Sequence, residues 1–92
     1  EGDKYLLSVR KKIIQSFGEN RKLKDLNISG NSKVALKISA DGNYKILELI
    51  AKNRFIYSET QRAFARISQF DPFSSKIKKQ SLEPVFTFVF DY

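Results

Sequence analysis

The chain has 92 residues, 41% of them hydrophobic, a length that permits one core and predicts a single domain over residues 1–92. It contains no Cys and no His, which excludes disulfides, thiolate metal sites, a cysteine nucleophile and the commonest general base. The net charge of +7 favours an anionic partner, such as nucleic acid, an acidic protein face or an anionic membrane or wall surface. A charge that only keeps the surface soluble is the alternative interpretation.

The first predicted element is an amphipathic helix over residues 4–17. Basic and polar side chains, among them Arg10, lie mostly on one side of it. Asp3 is placed to cap its start, and Gly18 is placed to end it in the left-handed conformation. Apolar residues recur at spacings of three and four and predict the buried stripe Leu6, Val9, Ile13 and Phe17.

Residues 19–32 are polar and rich in turn formers. Three apolar side chains within this stretch, Leu23, Leu26 and Ile28, are expected to hold it against the core. The stretch is therefore predicted to be an ordered connection.

A β-hairpin is the clearest local signal. Apolar and polar residues alternate over 33–39, which predicts a strand with one apolar face. Asp41-Gly42 is a preferred pair for a tight turn because both residues tolerate positive φ. The returning strand, residues 44–51, is apolar on both faces, which favours a cover over part of its second face.

A second helix is predicted to begin at Ser58. Ser58 and Gln61 have the spacing of a capping box, in which each side chain satisfies a backbone donor of the first turn. Ala63, Phe64 and Ile67 form its buried stripe. Asp71-Pro72 is predicted to stop it, since the residue before proline disfavours the helical region.

The last predicted element is a strand over residues 82–90, after a basic, serine-rich loop. Phe86, Phe88 and Phe90 fall on one of its faces, with Val85, Thr87 and Val89 on the other. Pro84 has no N–H for a ladder, so it marks the start of this strand or an exposed edge.

The order α-β-β-α-β predicts an α+β fold. We expect a three-stranded antiparallel sheet with two helices packed on one face. The first hairpin strand is then central and the last strand lies at an edge. The residues predicted to be buried between sheet and helices are Ile13, Phe17, Leu36, Ile38, Phe64 and Ile67.

No group of side chains predicts catalysis, a metal or a cofactor. The carboxylates are scattered, and no base is present to activate a serine or threonine. No glycine-rich phosphate loop occurs. Asp41-Gly42-Asn43 is similar to the start of a calcium loop, but the remaining oxygen ligands are missing. We therefore predict a binding protein with no catalytic residue, no metal ligand and no cofactor.

A small basic nucleic-acid-binding domain is the alternative interpretation. Basic residues mixed with aromatics on a sheet are typical of RNA-recognition modules. The glycine- and lysine-rich aromatic signature of that module is missing, however, and no GxxG clamp is present. The row of three phenylalanines is more typical of the core face of a sheet.

The ordered set of elements resembles the C-terminal domain of TonB and TolA, which reach across the periplasm of Gram-negative bacteria. The resemblance covers most of the chain. It rests on the opening helix with Tyr5, the alternating strand and Asp-Gly turn of residues 32–42, the segment Ala63-Phe64-Ala65-Arg66-Ile67, the exit Phe70-Asp71-Pro72-Phe73 and the closing strand Val85-Phe86-Thr87-Phe88-Val89-Phe90.

Two departures from the TonB pattern bear on the choice between TonB and TolA. The Tyr-Pro pair after the first helix and the Ser-Ser-Gly-like turn before the second are missing, which favours TolA without deciding between the two. The resemblance implies coupling to a proton-driven inner-membrane motor, through an anchor and spacer upstream. It also implies protein partners, either an outer-membrane receptor or Tol-Pal components, and not nucleic acid. The opening Glu1-Gly2, without Met, is what we expect of a piece of a longer protein.

The last strand is the predicted docking site. An edge strand offers unpaired N–H and C=O groups to which a partner segment, or a second copy in a homodimer, can add. Pro84 and Asp91 at its two ends are typical devices for restraining an open edge. The predicted partner-binding residues are Val85, Phe86, Thr87, Phe88, Val89 and Phe90.

Overall fold

The computed structural model describes residues 2–92, so residue 1 of the predicted domain lies outside the described residues. Within that range the chain forms three helices and four strands. They are α1 (Gly2–Phe17), α2 (Arg21–Asp25), β1 (Ser29–Ser39), β2 (Tyr44–Ile50), α3 (Arg54–Ala65), β3 (Ser81–Leu82) and β4 (Val85–Asp91).

β1 is the central strand of an antiparallel sheet. β2 pairs along one side of β1, and β3 and β4 pair with successive lengths of its other side. α1 and α3 pack together on the face that carries the buried residues of β1. The predicted α+β fold is confirmed, with the first hairpin strand in the centre and the last strand at an edge. The short elements α2 and β3 are additions to it.

The sequence prediction of the core is confirmed. All six residues expected between sheet and helices are at most 7% exposed: Ile13, Phe17, Leu36, Ile38, Phe64 and Ile67. Alternate residues of β1 point to this face because successive side chains of a strand point to opposite faces. The core therefore lies on one side of the sheet only.

Pro84 interrupts the predicted strand 82–90. Proline has no N–H for the ladder, and Glu83 and Pro84 lie between β3 and β4. The Pro84 carbonyl still accepts a hydrogen bond from the Leu36 N–H at 3.0 Å. β3 and β4 therefore run along β1 as one interrupted strand.

The second predicted helix corresponds to α3, and its predicted ends are wrong. The Asn53 side-chain oxygen caps the helix by accepting from the N–H groups of Phe55 at 2.8 Å and Ile56 at 3.2 Å. Ser58 lies inside the helix. The earlier cap prevails because it brings Ile56 into the core, where it is fully buried. The helix ends at Ala65, before the predicted stop at Asp71.

The predicted connection 19–32 is more regular than expected, since it contains α2 and the start of β1. Leu23 is fully buried and Ile28 is half-buried, as predicted. Leu26 is exposed, contrary to the prediction. α2 ends at Asp25, and the chain turns directly after Leu26 at a residue with positive φ.

The predicted tight turn of the hairpin is present. The Gly42 N–H donates to the Ser39 carbonyl at 2.8 Å, and Gly42 has a φ of 93°. A Cβ at Gly42 would overlap the Phe70 carbonyl, so glycine is required here for space as well as for φ. The Asp41 carboxylate accepts from the Asn43 N–H at 3.0 Å, which is a turn interaction.

Tyr44 joins the hairpin to the end of α3. Its hydroxyl lies 2.8 Å from the Phe64 carbonyl and 2.6 Å from the Ile67 carbonyl, and its one O–H donates between them. Burial raises the pKa of Tyr44. The pKa of Tyr5 is raised by burial and, secondarily, by the negative charge of Asp71.

Tyr44→Phe is expected to lower the free energy of unfolding by about 1 kcal/mol at neutral pH, because two partly buried carbonyls lose their donor. Because the pKa of Tyr44 is higher in the folded state, the stabilisation by its hydroxyl is complete below about pH 10, where the unfolded tyrosine titrates. It is lost as the pH rises through the folded pKa. Urea unfolding should therefore show that the variant loses less stability than the wild type at alkaline pH.

Tyr5 still titrates in this variant, so part of the alkaline dependence remains. Tyr57→Phe, which removes the hydroxyl of an exposed tyrosine on α3, is the control and should leave the stability at neutral pH unchanged. Equal effects of the two substitutions would show that the Tyr44 hydroxyl does not join hairpin and helix.

Candidate functional site: the open edge of β4

The six residues predicted as the docking site all lie in β4. Their side chains alternate between the two faces of the sheet. The three rings that point toward the helices are at most 7% exposed: Phe86, Phe88 and Phe90. Val85 is 56% exposed and Val89 is 76% exposed, while Thr87 is also exposed. The rings therefore belong to the core, and the site is formed chiefly by the backbone of β4.

α1 covers the inner face of β4. The Phe17 ring packs edge-on against Phe88 at 5.3 Å and Phe90 at 5.2 Å, measured between ring centroids. Edge-to-face packing at this distance is favourable because ring edges and faces carry opposite partial charge. The rings are thereby held away from solvent, so they do not form the exposed stacking platform of an RNA-recognition sheet.

The backbone of β4 has one paired side and one open side. In an antiparallel ladder the N–H and C=O of a residue point to the same side of the strand, and this side alternates along the chain. The Pro84 carbonyl faces β1, as its bond from Leu36 shows. By this alternation, the backbone N–H and C=O groups of Phe86, Phe88 and Phe90 also face β1. Those whose backbone groups face outward are Val85, Thr87 and Val89.

A side chain confirms this direction. The Arg10 Nη1 donates to the Thr87 carbonyl at 3.2 Å. Arg10 belongs to α1, which is not part of the β1–β4 ladder, so this carbonyl is accessible to a group other than β1. The Arg10 guanidinium also lies over the Phe88 ring, 5.1 Å from its centroid. Arg10 is half-buried by these contacts. Within residues 2–92, no strand pairs with the open side of β4.

The other edge of the sheet, β2, is less regular. The β1–β2 register shifts between Ala35 and Leu36, whose partners are Glu48 and Ile46. Leu47 is therefore an extra residue in β2. Such bulges twist an edge strand and discourage pairing. β4 keeps an unbroken register with β1 from Val85 to Asp91, so it offers the longer regular template.

The outer face of the sheet is exposed. Lys33 in β1 lies between Thr87 in β4 and Ile50 in β2, and all three are exposed. The expectation that something covers the second face of β2 is therefore wrong for the described residues. The outer face of a strand added to β4 would therefore also be exposed to solvent.

Two hollows lie between α1 and β4, one on each side of Arg10. The first, which we call the Leu6 hollow, has a volume of about 310 Å³ and is lined by Asp3, Leu6, Leu7, Arg10 and Phe86. The second, the Tyr92 hollow, has a volume of about 250 Å³, and its lining includes Arg10, Ile14, Phe17, Phe88, Phe90 and Tyr92.

The sequence pattern does not predict the α1 side of the groove between α1 and β4. It places Arg10 on the solvent side of the helix and gives no role to Leu7 or Ile14. Leu7 is 67% exposed and Ile14 is 48% exposed. Their separation of seven residues, two helical turns, was the available signal. It marks a second apolar stripe, adjacent to the core stripe and directed at the β4 edge.

Among residues 2–92, no three Asp, Glu, His or Cys side chains gather where they could bind a metal ion. None of the helices formed by these residues has the length and hydrophobicity of a membrane span.

Comparison with known proteins identifies a solved structure of similar fold. No protein-family model and no curated protein sequence matches the chain. The solution NMR structure of the C-terminal domain of TonB from Helicobacter pylori is similar to it with a TM-score of 0.66. The likeness covers 97% of this chain and 81% of that one, at 13% sequence identity. The chain therefore has the fold of a TonB C-terminal domain, as the sequence resemblance implied.

Proposed function

We propose that the chain is a non-enzymatic, periplasmic domain of TonB/TolA type that binds protein partners by strand addition at the β4 edge. Residues 1–92 would form one such domain. The observation that carries the proposal is the open side of β4, a regular seven-residue strand in a fold of TonB type. The docking residues would be Val85, Phe86, Thr87, Phe88, Val89 and Phe90.

The cellular role follows from the resemblance to TonB and TolA. The full-length protein would be anchored in the inner membrane and coupled there to a proton-driven motor. Its partners would be an outer-membrane receptor, in TonB-dependent transport, or Tol-Pal components, in envelope integrity. Strand addition suits this role because several backbone hydrogen bonds are loaded together when the partner is pulled, and no deep pocket is needed.

Peptide titration tests the docking site. The probe is an acetylated and amidated peptide of sequence Thr-Ile-Thr-Asp-Thr-Ile-Thr, whose threonines and isoleucines favour an extended strand. In an amide NMR titration we expect the largest shift changes at residues 85–91. Changes confined to the hairpin tip, to the solvent side of α1 or to β2 would contradict the proposal.

A random-sequence single-stranded oligonucleotide provides the second arm of this titration. Because the chain carries a net charge of +7, we expect weak association that disappears as salt is added. Sequence-selective binding that persists at physiological salt would replace the proposal with the nucleic-acid alternative.

A further inference from the structure

Arg10 stands at the middle of the groove between α1 and β4. It lines both the Leu6 hollow and the Tyr92 hollow, and its guanidinium is held over Phe88 and against the Thr87 carbonyl. That carbonyl is one of the groups to which an added strand would bind. A partner strand must therefore either accommodate Arg10 or displace it from Thr87.

The positions of the partner's side chains follow from sheet geometry. A strand added to β4 lies roughly 4.8 Å from it, and its alternate side chains point to the helix side, roughly 7 Å apart. Three of these side chains then come to lie beside Phe86, Phe88 and Phe90. The middle one faces Arg10, and the outer two face the Leu6 hollow and the Tyr92 hollow.

The two outer positions favour apolar side chains. The Leu6 hollow is lined mainly by Leu6, Leu7 and Phe86, and the exposed Ile14 lines the Tyr92 hollow. Branched aliphatic side chains would bury this apolar surface. Asp3, which also lines the Leu6 hollow, disfavours a second carboxylate there.

The middle position favours a carboxylate. Among residues 2–92, ion pairs join Arg21 to Glu19 and Arg62 to Glu59, and Arg10 takes part in neither. When an N–H of the partner strand binds the Thr87 carbonyl and displaces Arg10, the half-buried guanidinium loses its acceptor. A partner Asp or Glu replaces it with a charge-assisted hydrogen bond, which is stronger than the bond to a neutral carbonyl.

We infer that Arg10 selects partner segments of the pattern apolar-x-acidic-x-apolar, with the acidic residue at the centre of the added strand. This inference rests on the proposed docking at β4. The pattern is the same in both chain directions, so it holds for parallel and antiparallel addition. The partner is thus an extended segment of another protein with one central carboxylate between aliphatic residues.

Three peptides that differ only at the central residue test the inference. They are Thr-Ile-Thr-X-Thr-Ile-Thr with X as Asp, Asn or Lys, titrated by calorimetry and by amide NMR. We expect the Asp peptide to bind about tenfold more tightly than the Lys peptide, with Asn between them. Arg10→Gln should remove most of this preference, and Arg10→Glu should reverse it.

Lys11→Gln is the matched control. It removes the same charge from the neighbouring, exposed position of α1, so it should leave the preference for Asp intact. If Lys11→Gln weakens the preference as much as Arg10→Gln, the selection comes from overall charge, and the assignment to Arg10 is wrong. Circular dichroism confirms that each variant is folded.

The outcomes separate this inference from the proposed function. If all three peptides shift residues 85–91 with equal affinity, β4 is the docking site but Arg10 does not select, and the inference alone is overturned. If no peptide shifts β4, docking and inference fail together. Shifts at β4 that depend on protein concentration without peptide, with a dimer mass by light scattering, would assign the groove to a second copy of this chain and overturn the inference.

Discussion

Replacing Phe64 with alanine is expected to lower the free energy of unfolding by about 3–5 kcal/mol. The Phe64 ring is 3% exposed, and it projects from α3 into the core, with its centroid 6.0 Å from that of the Tyr44 ring. Truncation removes the buried apolar surface and leaves a cavity where α3 faces the sheet. Since small domains are stable by only about 5–15 kcal/mol, this variant should be close to unfolding.

Urea unfolding of the wild type and the variant measures the effect. Val89→Ala is the control, because Val89 is among the most exposed apolar residues of the chain, and its truncation should change the stability by about 0.5 kcal/mol or less. A loss below about 1 kcal/mol for Phe64→Ala would show that this face of α3 does not carry the core.

Thr87→Pro is expected to weaken peptide binding by more than about tenfold. The substitution removes about one backbone hydrogen bond to the partner and disturbs the local geometry of the edge. The Thr87 N–H points to the open side of β4, so proline removes a donor that no residue of β1 uses. The ring also hinders the approach of a partner strand. Calorimetry with the Asp-centred peptide measures the loss.

Thr87→Val is the control for this substitution. It removes the same hydroxyl but keeps the N–H, and it should bind the peptide as the wild type does. Urea unfolding of both variants separates binding from folding, since the loss of binding in Thr87→Pro should exceed its loss of stability. Unchanged affinity in a folded Thr87→Pro protein would exclude this side of β4 as the docking edge.

Side-chain periodicity by itself determined the main elements and their inner faces. The alternation of residues 33–39 and 85–90 indicated two strands, and the spacing from Leu6 to Phe17 indicated the first helix. These patterns are local, and each directs its apolar residues to one face wherever the element lies. The order of the elements then left few topologies, so the central and edge positions of β1 and β4 were predictable as well.

The tertiary structure decided the ends of α3. Asn53 and Ser58 are both good caps, and local preferences do not choose between them. The choice is made by Ile56, which is fully buried only when the helix includes it. A cap contributes about 1 kcal/mol, whereas burying an isoleucine side chain contributes about 1.5–3 kcal/mol.

Only the tertiary structure showed how the proposed docking edge is lined. Arg10 and Thr87 are 77 residues apart in the chain, and no local pattern relates them. Which backbone groups of β4 face outward depends on its register with β1, and the groove depends on how α1 packs beside that edge. The sequence therefore determined that β4 is an edge strand, while long-range packing determined that a half-buried arginine divides the groove beside it.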